Sequence, residues 1–169
     1  LDAAGYPYCQ GGIMAGRPAC CQTLASWRAT FSRWIRDLEA EDLLQAKIFF
    51  DFRGLRGEDG AVRELRDHLH AEIGRQPRFL HLLARSVLQY EPPLSPFGAF
   101  VLEEREPTRA TFDGKGVIAQ IVDYARIRAL QHAVPEVGTL ARLEALAARG
   151  AVKAQTAEAT AQAFSFLME

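Results

Sequence analysis

The sequence lacks the features that mark several large classes of protein. No apolar run approaches the roughly 20 residues that a transmembrane helix needs, and no basic stretch followed by an apolar one opens the chain as a secretory signal would. The net charge is -1 and the pI is near 6.5, so no strong positive field is present to attract a phosphate backbone. We therefore expect a soluble, cytoplasmic protein that binds neither nucleic acid nor a membrane.

Patterns that bind metals or carry catalysis are also missing. The three cysteines and four histidines show no CxxC or HxxxH spacing, and an odd number of cysteines fits a reducing compartment. Neither a GxxxxGKS phosphate loop nor a GxSxG nucleophile elbow occurs. The sequence therefore predicts no metal site and no catalytic residue within this chain.

What the chain does contain is helical periodicity. Apolar residues recur at intervals of three or four, which predicts an all-α fold, an antiparallel bundle of about seven helices. An aromatic stripe that includes Trp27 and Trp34 predicts a first helix over about 21–38, and both rings are interpreted as core residues. A second helix, up to about residue 52, is apolar nearly all round and is expected at the centre of the bundle. The remaining helices are predicted over about 62–74, 77–90, 116–134, 139–149 and 156–169, with Gly74 as the C-cap of the third helix and Thr139 as the N-cap of the sixth. A short extended or hairpin segment is predicted near 97–114.

The first part of the chain differs from this helical remainder. Residues 5–16 contain four glycines and a proline, which disfavour a helix, together with two tyrosines, a cysteine and a methionine. Such a segment indicates the ordered edge of a larger structure, in which Tyr6, Tyr8 and Met14 pack. Because Leu1 is also not an initiator methionine, we expect the chain to be part of a longer polypeptide.

Two charged residues, Asp51 and Arg53, interrupt the second apolar run. Charges among phenylalanines are costly unless they are paired, and Lys47 lies one helical turn before Asp51. Either these charged residues form an ion pair that fixes the packing at a helix end, or they belong to a polar cluster that faces a ligand or a neighbouring domain.

A second group of charged residues lies on the fifth predicted helix. Asp123 and Arg126 are spaced i,i+3, and Lys115 lies near the start of this helix. An exposed pair of this kind contributes less than ~1 kcal/mol. If the same face also meets Asp51 and Arg53, the basic groups suit an anionic ligand, since guanidinium and ammonium groups bind phosphates through charge-assisted hydrogen bonds.

Several spaced motifs together resemble a family. These are the strings Gly5-Tyr6-Pro7-Tyr8-Cys9, Ile48-Phe49-Phe50-Asp51-Phe52-Arg53 and Ile121-Val122-Asp123-Tyr124-Ala125-Arg126, with Gly12, Met14-Ala15, the Trp27 and Trp34 helix and Lys115-Gly116. The chain resembles bacterial nucleotidyltransferase-like signalling proteins, which are similar to protein-PII uridylyltransferases and often carry paired CBS domains and a cyclic-nucleotide-binding domain.

The resemblance implies a division of the chain. Residues 1–17 are expected to be the C-terminal tail of a nucleotidyltransferase domain, and residues 18–169 its helical substrate-binding domain. The family's motifs for metal and triphosphate would lie upstream, so Mg²⁺ and a nucleoside triphosphate are expected for the parent protein, and this chain alone is expected to be inactive. The partners considered are the upstream domain, a protein acceptor and a second copy of the chain.

Two functions therefore stay open at this point. The preferred one is a non-catalytic substrate-binding domain, and its predicted polar lining is Asp51, Arg53, Lys115, Asp123 and Arg126. The alternative is a helical dimerisation or signal-relay module that does not contact substrate. A winged-helix-like DNA reader is the weakest hypothesis, because the chain is nearly neutral and Pro135 interrupts the helix-turn-helix pattern.

Overall fold

The computed structural model describes residues 5, 7–57, 59–91, 93, 95, 103–106, 109–111 and 114–169. Within these ranges the chain forms seven α-helices and one antiparallel hairpin, which confirms the all-α class. The elements are α1 Leu24–Asp37, α2 Ala40–Phe49, α3 Asp59–Arg75, α4 Pro77–Val87, β1 Glu103–Glu106, β2 Arg109–Thr111, α5 Gly114–Gln131, α6 Thr139–Ala148 and α7 Ala154–Met168. The hairpin pairs Glu103 with Thr111 and has a register irregularity between Glu104 and Glu106. The other residues of the segment predicted as extended that lie outside the described ranges are 97–102, 107–108 and 112–113.

The helix ends follow local capping rules, with two corrections. Thr23 caps α1 by accepting a hydrogen bond from the backbone N–H of Ser26. Gly74 was expected to close the third helix, but α3 continues through it to Arg75 and ends just before Pro77. Thr139 was expected as the N-cap of the sixth helix, but Gly138 holds that position and Thr139 is the first helical residue.

Buried apolar side chains form two separate cores. The aromatic core lies among α1–α4 and contacts α5. Its buried members are Phe31, Trp34, Ile35, Ala46, Phe50, Leu65, Leu69, Ile73, Phe79, Leu83 and Leu130. The alanine-rich core lies among α5, α6 and α7. Its buried members are Ala125, Ala129, Val134, Leu143, Leu146, Val152 and Ala157.

Helix α5 belongs to both cores. Leu130 and Ile127 pack on the aromatic core, whereas Ala125 and Ala129 lie in the alanine-rich core. These two pairs project from opposite sides of a helix that advances 100° per residue. Helix α5 therefore connects the two cores.

The expectation that the second helix lies at the centre of the bundle is wrong. Only Asp42 and Ala46 of α2 are buried, while Leu44 is 52% exposed and Ile48 is 42% exposed. An apolar pattern on all sides does not ensure burial when neighbours cover only one side. Within this chain Tyr8 is 66% exposed, so its packing in a larger structure stays a prediction, and Tyr6 lies outside the described residues.

No helix in the described ranges combines the length and the apolar composition needed to cross a membrane.

Candidate functional site

The predicted site residue Asp51 directly follows a buried anchor. Helix α2 ends at Phe49, and Phe50 packs into the aromatic core with its ring centroid 4.8 Å from that of Phe31. Because Phe50 is fixed in this core, the chain leaves the helix in one direction, and Asp51 meets α5 and α6. The carboxylate therefore reaches residues far away in sequence.

Two arginines bind the carboxylate of Asp51. Arg126 on α5 donates from Nε and Nη2 to Oδ2 of Asp51, at 2.9 and 2.7 Å. Arg142 on α6 donates from Nη2 to the other oxygen, Oδ1, at 2.5 Å. Asp51 thus joins the end of α2 to both helices through charge-assisted hydrogen bonds.

Asp123 extends this arrangement by one further pair. Its Oδ1 accepts a hydrogen bond from Nη1 of Arg126, and its Oδ2 accepts one from Nζ of Lys47 at 2.9 Å. The i,i+4 spacing of Lys47 and Asp51 allows a local pair, but the structure pairs Lys47 with Asp123 instead.

These five side chains are called the ion network from here on: Lys47, Asp51, Asp123, Arg126 and Arg142. It holds three cations and two carboxylates, which leaves one positive charge in excess. The predicted i,i+3 pairing of Asp123 with Arg126 is confirmed, but both side chains are largely buried and do not form the surface pair considered from sequence. Asp51, Asp123 and Arg126 do converge.

The surroundings of Asp51 favour its charged form. Burial by itself raises the pKa of Asp51, but the hydrogen bonds from Arg142 and Arg126 outweigh it and bring the pKa below its usual value. The carboxylate of Asp51 is therefore ionised at neutral pH.

A further cation, Arg66 of α3, lies close to this network. Its guanidinium stacks 4.6 Å from the ring centroid of Phe52 and donates to the backbone oxygen of Phe52 at 2.6 Å. Burial, followed by the positive charge of Arg142, lowers the pKa of Arg66. Arg66 therefore adds a further positive charge beside Phe52, the residue that follows Asp51.

Sequence reasoning missed Arg142, the most buried residue of the network. Its side chain is 3% exposed, and its Nε also donates to the backbone oxygen of Glu136 at 2.8 Å. One signal was available, because Arg142 lies one turn before Leu146 and next to Leu143, both of which are core residues. A single arginine on the apolar face of a helix indicates a buried partner.

The other two predicted site residues do not join the network. Arg53 and Lys115 are both exposed, one after α2 and the other at the start of α5. Lys115 precedes Arg126 by eleven residues, which is three helical turns, so the two project from the same side of α5 about 16 Å apart. The structure thus separates the five predicted residues into three that pair inside the protein and two that face solvent.

Apart from the ion network, a concave surface lies where the N-terminal segment meets α1 and α2. It encloses about 470 Å³ and includes Gly12, Trp27, Thr30 and Gln45 in its lining. Beside them, Arg33 donates to Oδ1 of the buried Asp42 at 3.0 Å. Aromatic, amide and charged groups meet in this cleft, which the sequence did not predict as a site.

The side chains that the structure describes do not fit a catalytic metal centre. Throughout the ranges that the structure describes, no three histidine, cysteine, aspartate or glutamate side chains lie close enough to hold a metal ion together. The two network carboxylates accept hydrogen bonds from arginine and lysine, which occupy the oxygens that a cation would need.

Two family models match the chain. The model described as "putative nucleotidyltransferase substrate binding domain" matches residues 77–169, which is more than half of the chain. The model described as "putative nucleotidyltransferase DUF294" matches residues 1–41. Searches of curated proteins and of solved structures give no match. The chain belongs to the family of nucleotidyltransferase substrate binding domains that the first model describes.

Proposed function

We propose that this chain is the non-catalytic helical domain that binds substrate for a nucleotidyltransferase similar to the protein-PII uridylyltransferases. The observation that carries the proposal is the family match over residues 77–169. This range includes Lys115, an exposed cation of the predicted site. It also includes three of the five residues of the ion network, Asp123, Arg126 and Arg142.

The proposal assigns different tasks to buried and exposed charges. The ion network holds the end of α2 against α5 and α6, because each of its carboxylates bonds two cations. Arg53 and Lys115 are free to contact solvent, and they bind the anionic groups of the substrate. The excess positive charge of the network supports this choice of ligand.

The partner in this proposal is a catalytic nucleotidyltransferase domain that precedes the helical domain in the same polypeptide. The match of residues 1–41 to a nucleotidyltransferase family supports that arrangement. The catalytic domain supplies Mg²⁺ and the nucleoside triphosphate, since the side chains described here do not fit a metal. The division near residue 17 stays a prediction, as do a cytoplasmic location and a signalling role with CBS and cyclic-nucleotide-binding domains.

The test uses the complete polypeptide that contains this chain. Mg²⁺–UTP binding is measured by calorimetry, and transfer of labelled UMP is followed with a PII-type signal protein as acceptor, for Arg53→Ala and Lys115→Ala. Loss of one charge-assisted hydrogen bond, at about 1.5–3 kcal/mol, weakens binding of the acceptor or the nucleotide by roughly 10- to 100-fold. Arg36→Ala, at an exposed cation of α1, is the matched control and leaves both measurements unchanged.

Unchanged binding and transfer in both variants would remove the binding role of Arg53 and Lys115. If the same assay run with ATP transfers AMP, whereas UTP gives no transfer of UMP, the binding domain is kept and the similarity to uridylyltransferases is rejected. The competing function, a dimerisation or relay module, predicts a concentration-dependent dimer in light scattering and no response of substrate binding to either substitution.

A further inference from the structure

Helices α6 and α7 leave an open apolar groove between them. The groove encloses about 770 Å³, and alanines such as Ala147, Ala157 and Ala161 contribute to its lining. Two large apolar side chains in the same lining are exposed, Phe166 at 76% and Leu140 at 45%. Apolar side chains that share one concave surface and remain in contact with water are typical of a binding surface.

The charged groups of this groove all have one sign. Glu144 of α6, Glu158 of α7 and Glu169 line it, and no lysine or arginine is among its lining residues. The only arginine of α6, Arg142, is turned away into the ion network, and α7 contains no basic residue. The groove therefore combines apolar side chains with glutamates contributed by both helices.

We propose that this groove docks a basic amphipathic helix contributed from outside this chain. Small side chains allow a third helix to approach the usual packing distance of roughly 8–10 Å. Its apolar face would cover Phe166 and Leu140, and lysines or arginines along its borders would meet Glu144 and Glu158. This is the groove-binding mode in which an amphipathic helix places its apolar face against a partner.

The same charges argue against a second copy as the occupant. A twofold interface brings the same patch of both subunits together, so the glutamates of one groove would approach those of the other. Like charges across an interface oppose association. The groove also shares no residue with the ion network or with Arg53 and Lys115, so this inference goes beyond the proposed function and does not depend on it.

The experiment compares three labelled synthetic helices for binding to the full chain by fluorescence anisotropy. The first has a leucine face bordered by lysines, the second has the same face bordered by glutamates, and the third keeps the lysines but has serines in place of the leucines. The lysine-bordered helix binds about tenfold more tightly than the glutamate-bordered one, as expected when several rim pairs act together. The serine helix does not bind measurably.

Charge reversal in the protein gives the sharper readout. The double variant Glu144→Lys/Glu158→Lys reverses the preference between the two helices, so that it binds the glutamate-bordered helix more tightly than the lysine-bordered one. Glu39→Lys/Glu91→Lys reverses two exposed glutamates outside the groove and keeps the original preference. Phe166→Ser, at a side chain exposed enough for folding to be unaffected, weakens binding of the lysine-bordered helix at least about fivefold while the circular dichroism spectrum is unchanged.

Three outcomes would overturn the proposal. These are equal binding of the lysine- and glutamate-bordered helices, binding of neither one, and a dimer of the unmodified chain that Phe166→Ser dissociates in light scattering. The last result would assign the groove to a second copy.

Discussion

The two cores of this chain achieve burial with side chains of very different size. In the aromatic core, Phe31 lies with its ring centroid 4.8 Å from that of Phe50 and 5.6 Å from that of Trp34, and such ring pairs continue to Phe79. In the alanine-rich core, leucines such as Leu146 pack among alanines on all three helices. Large rings fill the space between helices, whereas alanines let the helix backbones approach closely.

This difference in side-chain size indicates which core needs further bonds to fix the positions of its helices. A core of interlocking rings already fixes one arrangement of its helices, but a core of small side chains constrains helix positions less. The ion network lies where the two cores adjoin, and Asp51 connects the end of α2 to Arg126 and Arg142. We interpret these directed bonds as the element that fixes α5 and α6 relative to the aromatic core. Stability changes in each core and at the ion network test this comparison, in order of decreasing effect.

The largest loss of stability is expected for Phe50→Ala in the aromatic core. The Phe50 side chain is fully buried and contacts the rings of Phe31 and Phe79, so its removal leaves a cavity that rigid neighbours cannot close. The free energy of unfolding falls by about 3–5 kcal/mol. Urea denaturation followed by the fluorescence of Trp27 and Trp34 measures this loss.

Phe166→Ala is the matched control for this cavity. It removes the same ring from a largely exposed site, and the free energy of unfolding changes by less than about 0.5 kcal/mol. A similar loss in both variants would mean that the aromatic core is not packed as described.

The second largest loss of stability is expected for Asp51→Ala, which removes the carboxylate that links the end of α2 to α5 and α6. Arg126 and the buried Arg142 then lose their shared partner, and an uncompensated buried charge is costly. The free energy of unfolding falls by about 3 kcal/mol, at the lower end of the usual range because Asp51 keeps some solvent contact. Hydrogen exchange of α6 amides speeds up more than that of α3 amides if the network holds α6 in place.

Acid titration provides an independent check on Asp51. Its pKa is lower in the folded protein than in the unfolded one, so its stabilising contribution is present above the unfolded pKa of about 3.9. The contribution is lost as the pH falls below that value toward the folded pKa. The stability difference between the natural chain and Asp51→Ala should therefore shrink between about pH 5 and pH 3, and a constant difference would contradict the ionised pairing.

The sequence was sufficient to predict elements that repeat a local pattern. Trp27, Phe31 and Trp34 recur every three or four residues, and the structure places them together on one face of α1 in or against the aromatic core. The hairpin was also predicted, because the helical pattern stops between the prolines after α4 and the start of α5. Local spacing specifies such features directly.

Features that depend on distant partners could not be predicted in the same way. Lys47 had a suitable carboxylate one turn away, yet it bonds Asp123, which lies 76 residues later. Only three-dimensional packing decides between a local and a distant partner. The site was therefore predicted as a set of residues, in which Asp51, Asp123 and Arg126 converge, but its pairing and the buried Arg142 required the structure.

An intermediate loss of stability is expected from overfilling the alanine-rich core with Ala129→Leu. Ala129 is buried where α5 packs in this core, and three further carbons must push the helices apart. The free energy of unfolding falls by about 1–3 kcal/mol. Ala119→Leu, at an exposed position of the same helix, is the control and leaves stability within about 0.5 kcal/mol. If Ala129→Leu is stabilising, the second core contains unfilled space and the comparison of the two cores needs revision.

The smallest change in stability is expected at the exposed ion pair between Arg28 of α1 and Glu64 of α3. Both helices belong to the aromatic core. Its atoms are 2.8 Å apart, as close as those in the ion network, but about half of each side chain is in contact with water. A double-mutant cycle with Arg28→Ala and Glu64→Ala therefore gives a coupling energy of about 0.2–1 kcal/mol, and 0.5 M NaCl reduces it. The equivalent cycle with Asp51→Ala and Arg126→Ala gives a larger coupling that salt changes less, since burial limits screening. Equal couplings in the two cycles would show that burial at the junction between the cores adds nothing to pairing, and that apolar contacts alone position α5.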